Sequence, residues 1–318
     1  MPALDEAASY ALAHETPWPR DLRAHIEAGF FEAPPHNEIL GPIRPRGGPN
    51  GLVMRGGRAI AKWGDTRQVD FTFSVAKSYL SLLAGIAVAD GLIRELDEQV
   101  AATVQDGGFE GPHNGAITWR HLLQQTSEWE GTLFGKSDVI DRNRNLAVEG
   151  KGRKGDARLL QSPGTFWEYN DVRVNRLALA LLHRFRRPLP EVFAERIMQP
   201  IGASADWTWQ GYRTSVVEID GRSIESVSGG SHWGGGGGDR CRGPGAHRAA
   251  DAAARRVGGA AAAARCLDRR VADAVPAQSE LRAAVVAEHR APPLCPRVGG
   301  ELLCGGGGRQ HHLGRSGE

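Results

Sequence analysis

Hydrophobic positions along the first 230 residues repeat with recognisable periods. Residues 51–55 (GLVMR) and 58–64 (RAIAKWG) are short apolar-rich runs split by Gly56-Gly57, which predicts a β-hairpin. After DTRQVDFTF comes SVAKSYLSLLAGIAVADG, apolar almost all round, which predicts a buried helix closed by Gly91. ITWRHLLQQTS (117–127) predicts a shorter helix with a Thr N-cap, and residues 128–165 are polar and loop-like, with basic clusters near Arg142 and Lys151. NDVRVNRLALALLHRF (170–185) has an amphipathic period, with Asn170 or Asp171 as its N-cap, and LPEVFAERIMQPIG (189–202) predicts another helix. DWTWQGY, TSVVEID and RSIESVS (206–228) read as strands, with Asp220-Gly221 as a turn. Ahead of the hairpin stand a short helix after Pro19 and a Pro-rich loop from Ala33 to Pro45. Strands, then helices, then strands predict an α/β fold of the α+β type: an antiparallel sheet with an inserted helical subdomain.

Composition changes this picture at one point. All 8 Trp, 4 Tyr and 9 Phe lie at or before Trp233, and all 4 Cys (Cys241, Cys266, Cys295, Cys304) lie beyond it. The later segment is mostly Gly, Ala, Arg, Val, Leu and Pro, with few large apolar groups to offset ordering entropy. Such a composition suits either a basic low-complexity tail or GC-rich DNA read out of register, and the second reading is preferred. Codons compatible with residues 238–253, read one nucleotide later, can encode VIGAEDQARIGLLML, a strand running into an amphipathic helix. Those for residues 301–318 can encode SSFAVGAGGNIIWVDPE, a glycine turn and a buried strand. The expected organisation is an N-terminal extension (1–48), a folded domain (49–235) whose final strands are missing, and a disordered tail (236–318), with Gly234 to Gly238 as a hinge.

Charge and targeting signals exclude several classes. The net charge of +2 does not suit a nucleic-acid binder. No apolar run reaches the roughly 18 residues of a membrane span. The N-terminus lacks an apolar h-region, so a cytoplasmic protein is expected. The four tail cysteines and His311-His312 match no metal-ligand spacing, and neither metal nor cofactor is expected. The oligomeric state is not legible.

The candidate chemistry lies at two places. Ser74 and Lys77 stand three apart at a helix start, on one face, with the helix N-terminus favouring negative charge beside the serine. A lysine held in an apolar helix can have a depressed pKa and take the serine proton. Tyr169 precedes a helix N-terminus, and a tyrosine near cations can act as a base. Asn170, Asp171 and His232 are supporting candidates, His232 more structural than catalytic. Trp129, Phe134 and Trp167 are read as packing locally.

FTFSVAKS (71–78), HLLQQTS (121–127), PGTFWEYND (163–171) and QPIGA (199–203) together resemble the serine β-lactamase and penicillin-binding-protein superfamily. They are most similar to its class C-like esterases and 6-aminohexanoate-dimer hydrolases. The resemblance spans roughly residues 50–235. It implies acylation of Ser74 by a small-molecule ester or amide, activation by Lys77, and Tyr169 as base and then proton donor. It also implies an oxyanion hole shared between the Ser74 N–H and an N–H of a late strand. Three departures stand out. Asp171 replaces the Asn of Tyr-x-Asn, and a carboxylate there would keep Lys77 charged. Glu128 replaces the usual Gly after Thr-Ser. The late strand is absent from the chain as written. A hydrolase impaired in this chain is therefore the first expectation, and a non-catalytic or defunct member of the same fold is the alternative.

Overall fold

The computed structural model describes residues 2–56, 58–144 and 153–239. The four cysteines, His311-His312 and the shifted-frame segments, apart from Gly238 and Asp239, lie outside them. The chain opens with α1 (Pro2–Ala13) and α2 (Arg23–Glu27), then the hairpin β1 (Gly51–Arg55) and β2 (Arg58–Trp63). A short β3 (Asp70–Phe71) leads through a 3-10 turn (Phe73–Val75) into α3 (Ala76–Ala89). Next come α4 (Gly111–Asn114), α5 (Trp119–Leu123), the small hairpin β4 (Thr132–Leu133) and β5 (Lys136–Ser137), and a 3-10 turn at Asp138–Asp141. After α6 (Asp171–Phe185) and α7 (Leu189–Phe193), the chain ends its described part in β6 (Thr208–Ile219), β7 (Arg222–Val227) and β8 (Gly236–Asp239).

The antiparallel sheet has the order β3-β8-β6-β7, while among the described residues β1 and β2 pair only with each other. The runs DWTWQGY and TSVVEID are one strand, β6, not two. Its register against β7 shifts between Gly211 and Val216. There the Ser215 hydroxyl donates to the Ser226 carbonyl at 2.7 Å, and the break in alternation looked like a strand end. The Gly-rich stretch is likewise no hinge from Gly236 onward: Gly236, Gly237 and Gly238 pair with Gln210, Trp209 and Thr208. A Cβ on Gly237 would stand 2.5 Å from Thr72 Oγ1, so the absence of side chains lets β8 fit between its neighbours.

α3 buries Leu80, Leu83, Ala84, Ile86 and Ala87 against α6 and the sheet. α6 was expected to keep a polar face in water, yet every residue from Asp171 to Leu182 is buried. Its arginines are covered by acids from neighbouring loops: Arg173 meets Glu128 at 2.6 Å and Asp138 at 3.2 Å, and Arg176 meets Asp106. The N-terminal segment is fastened to the same body. Leu40 and Gly41 N–H groups donate to the Trp233 carbonyl (2.8 and 3.0 Å), and the Trp233 indole donates to His36 O (3.0 Å). α1 buries no residue, which explains why no apolar stripe announced it.

Glu128 sits with φ +49°, a left-handed backbone that suits the glycine expected there. Its buried carboxylate compensates by accepting from Arg158 twice (2.6 and 2.6 Å), from Arg173 (2.6 Å) and from the Gln161 N–H (2.9 Å). Burial opposes its charge, but these partners hold the carboxyl below the usual carboxylate range. Replacing Glu128 with Ala keeps the strained backbone and takes from Arg158 and Arg173 the carboxylate they share, leaving Glu168 to both and Asp138 to Arg173. We expect a loss of about 3–5 kcal/mol in denaturant unfolding at neutral pH. A loss below about 1 kcal/mol would show that the arginines find other partners.

Candidate active site

The strand β3 and helix α3 are joined by a turn that forces Phe73 to φ +44°. The turn is held from outside by the loop after β7. A Cβ on Gly230 (φ +85°) would stand 1.8 Å from the Phe73 carbonyl oxygen, so only glycine lets the two backbones approach. Val75, not Ser74, takes the N-cap position of α3. The Ser74 hydroxyl is thereby spared a capping role, and the residue is exposed.

Lys77 and Tyr169 both reach this hydroxyl. Lys77 Nζ donates to Ser74 Oγ at 3.0 Å, and Tyr169 Oη donates to it at 2.5 Å. The lysine has two further partners, the Gly229 carbonyl at 3.1 Å and Asp171 Oδ1 at 2.6 Å. Two of its protons have acceptors in Ser74 Oγ and the Gly229 carbonyl, and Asp171 Oδ1 stands beside the ammonium as its ion-pair partner. Burial disfavours the charge, but Asp171 and Tyr169 outweigh it, and Lys77 is held above the ordinary lysine value. A depressed lysine pKa, the sequence expectation for Lys77 as base, is therefore reversed. The physical reason is Asp171.

Asp171 is the first residue of α6, where the helix N-terminus favours an anion. Its second oxygen takes Arg144 at 2.8 Å, and its N–H donates to Asp141 at 2.9 Å. Complete burial opposes ionisation, but Lys77 and Arg144 win and hold the carboxyl well below its usual range. Both cations also face the Tyr169 ring, Lys77 Nζ at 4.9 Å and Arg144 Cζ at 4.7 Å from its centroid. Negative charge developing on the phenol oxygen would meet two fixed positive charges.

The other candidates sit elsewhere. Asn170 is the N-cap of α6. Its side chain accepts from the Val172 and Arg173 N–H groups (both 3.1 Å) and donates to Asp138 O (2.9 Å). His232 is buried against Glu32 and stacks on Phe31 at 4.9 Å. Trp129 is buried, its indole donating to Gly108 O at 2.6 Å, and with Phe134 it lines a separate cavity of about 730 Å³ beside Arg176. Trp167 is half-buried. Sequence reasoning missed Arg144, Asp141 and the Gly229 carbonyl. A basic cluster around Arg142 was visible, but nothing local told which of its members turns inward. Gly229 is placed by long-range bonds, its N–H donating to Asn175 Oδ1 at 2.9 Å.

The sequence profile of beta-lactamase matches residues 52–215 of the 318. The chain belongs to the beta-lactamase family. Solved structures similar to it include an octameric penicillin-binding protein homologue from Pyrococcus abyssi (14% identity, 60% of this chain, 49% of that one, TM-score 0.41). A Bacillus anthracis chain described as a 6-aminohexanoate-dimer hydrolase is similar too (16% identity, 60% and 51% coverage, TM-score 0.40). A third is the D-amino acid amidase of Ochrobactrum anthropi SV3 (15% identity, 60% and 62% coverage, TM-score 0.40). The chain spans about half the length of the first solved structures it matches. No curated protein matches it.

Within this beta-lactamase-family chain His232 makes a separable contribution to acid sensitivity. Burial pushes its imidazole down to about 3, with Lys154, Arg144 and Lys136 reinforcing burial against Asp171. The unfolded chain takes up that proton near 6.5 and the folded chain does not. Stability therefore falls as pH drops from about 6.5 toward 3. Urea unfolding at pH 7 and pH 5 should show a smaller loss for His232→Gln than for the parent chain. Equal losses would place the titration on other groups.

Proposed function

We propose that the protein is a serine hydrolase that cleaves a small-molecule ester or amide through an acyl-enzyme on Ser74, with Tyr169 as the working base. The observation that carries this is the position of Ser74 Oγ between Tyr169 Oη at 2.5 Å and Lys77 Nζ at 3.0 Å. Lys77 has no free lone pair, because Asp171 beside it holds it in the charged form. It serves as a fixed positive charge. That leaves Tyr169: once its phenol proton has passed to solvent, its oxygen reverses the hydrogen bond and accepts the Ser74 proton.

The steps balance as follows. Ser74 Oγ bonds to the substrate carbonyl carbon while its proton passes to the Tyr169 oxygen. The tetrahedral oxyanion faces the Ser74 N–H. The bond to the leaving group then breaks, and Tyr169 returns the proton to that oxygen or nitrogen. Water attacks the acyl-enzyme with Tyr169 again accepting a proton, and the acid departs as Ser74 is regenerated. A second oxyanion donor from a late strand is not found among the described residues. We infer that the chain as written turns over slowly, since acylation needs fewer of these parts than a full cycle. Asp171 in place of Asn favours a second reading, a binding protein of the same fold in which Ser74 never reacts.

Labelling by a fluorophosphonate separates the two. We expect stoichiometric label on Ser74, abolished in Ser74→Ala and slowed roughly 10²–10⁴-fold in Tyr169→Phe. A folded chain that takes no label would sink the hydrolase reading. Tyr169→Phe labelling at the parent rate would return the base role to Lys77.

A further inference from the structure

The Lys77–Asp171–Arg144 cluster does not end at the active site. Arg144 Nη1 also meets Asp141 Oδ1 at 3.2 Å, and Lys154 Nζ meets the same Asp141 oxygen at 3.1 Å. Lys154 in turn pairs with Glu32, whose other oxygen holds His232. The result is an alternating row: Lys77, Asp171, Arg144, Asp141, Lys154, Glu32. Three cations face three carboxyl groups, with the side chains of Asp141, Asp171 and Glu32 0%, 3% and 5% exposed; burial raises the carboxyls of Asp141 and Glu32, and Lys154 and Arg144 oppose that rise. Its far end comes from the segment before the first strand, 42 positions before Ser74 in sequence.

We propose that Glu32 is a positioning residue of the Ser74 site, acting on Tyr169 through Lys154, Asp141 and Arg144. The inference rests on the hydrolase reading above. Arg144 and Lys154 approach one oxygen of Asp141. Glu32 gives Lys154 a second carboxyl partner, which leaves Arg144 able to share itself between Asp141 and Asp171. Without the Glu32 carboxylate, Lys154 has Asp141 as its remaining partner in the row and competes directly for that oxygen. Arg144 then shifts, and it is one of the two cations over the Tyr169 ring. The same shift disturbs Asp171, which fixes Lys77. Glu32 touches neither Ser74 nor Tyr169, so its effect passes only through the row. His232 and the stacked Phe31 hold Glu32 in place from behind. The N-terminal segment is thereby part of the site and not an appendage.

The test uses the whole chain and the fluorophosphonate probe, with the maximal labelling rate and the half-saturating probe concentration measured separately. Glu32→Gln is expected to lower the maximal rate roughly tenfold, because a small misplacement of catalytic groups is costly, and to leave half-saturation within about twofold. Glu32→Asp should recover most of the rate, since the flexible Lys154 side chain can follow a shorter carboxylate. Lys154→Met cuts the row from its more exposed side, should reproduce the Glu32→Gln effect, and decides the matter if Glu32→Gln fails to melt cooperatively. Arg23→Ala, on the exposed α2 surface, should label like the parent. Parent-like labelling of both Glu32→Gln and Lys154→Met overturns the positioning role and leaves the hydrolase reading intact. Equal slowing in Glu32→Asp and Glu32→Gln also overturns it, as a packing effect. A folded parent chain that takes no label overturns both.

Discussion

A single carboxylate, Asp171, sets the terms for the rest of this structure. It is fully buried at the first turn of α6 and ionised between Lys77 and Arg144. A buried anion is tolerated only with close cations and satisfied oxygens. The chain meets that demand from three directions: Lys77 from α3, Arg144 from the loop after the second 3-10 turn, and the helix N-terminus itself. The consequence for chemistry is direct. The charge on Lys77 that stabilises Asp171 is in turn held in place by it.

The departures from the family pattern follow the same logic. Asp in place of Asn adds a negative charge, and Arg144 supplies the matching positive one. Glu in place of Gly at position 128 adds another, and Arg158 and Arg173 answer it. Each substitution that places an acid in the interior has a guanidinium beside it. Arginine suits this work because its fork can serve two carboxylates at once, as Arg173 does for Glu128 and Asp138. The unexpected burial of the polar face of α6 is therefore a product of pairing, with charge exchanged between helix and loops and little left for water.

What could be read from the sequence was whatever depends on neighbours in the chain. The buried helix α3 and the Asp220-Gly221 turn are local patterns. So is the Thr118 cap, which accepts from the His121 N–H at 3.3 Å. Ser74 and Lys77 meet because they are three apart on one helical face. Tyr169 could be suspected from its place before a helix N-terminus, but only the resemblance linked it to Ser74, 95 positions away. Arg144, Asp141, Lys154 and Glu32 were hidden for the same reason, more strongly: a charged residue in a loop usually faces water, and nothing nearby marks one that turns inward. The merging of two strand patterns into β6 shows the converse error, where a bulge interrupts a period without ending the strand.

The glycine run after Ser228 shows how composition and structure can lead in different directions. By composition it marks the place where aromatic residues stop, and it reads as punctuation. In the fold, its early members are required one by one. Gly230 clears the Phe73 carbonyl, and Gly235 and Gly211 stand where a Cβ would strike the backbone of β6 and β7. Gly237 clears Thr72. Each side chain added here would push on the turn that aims Ser74, or on the sheet beneath it. The Gly229 carbonyl also takes one proton of Lys77. The run therefore acts as a mould for the turn that carries Ser74: it lets two backbones come together at a separation that no other residue permits, and the strain at Phe73 is sustained by that contact.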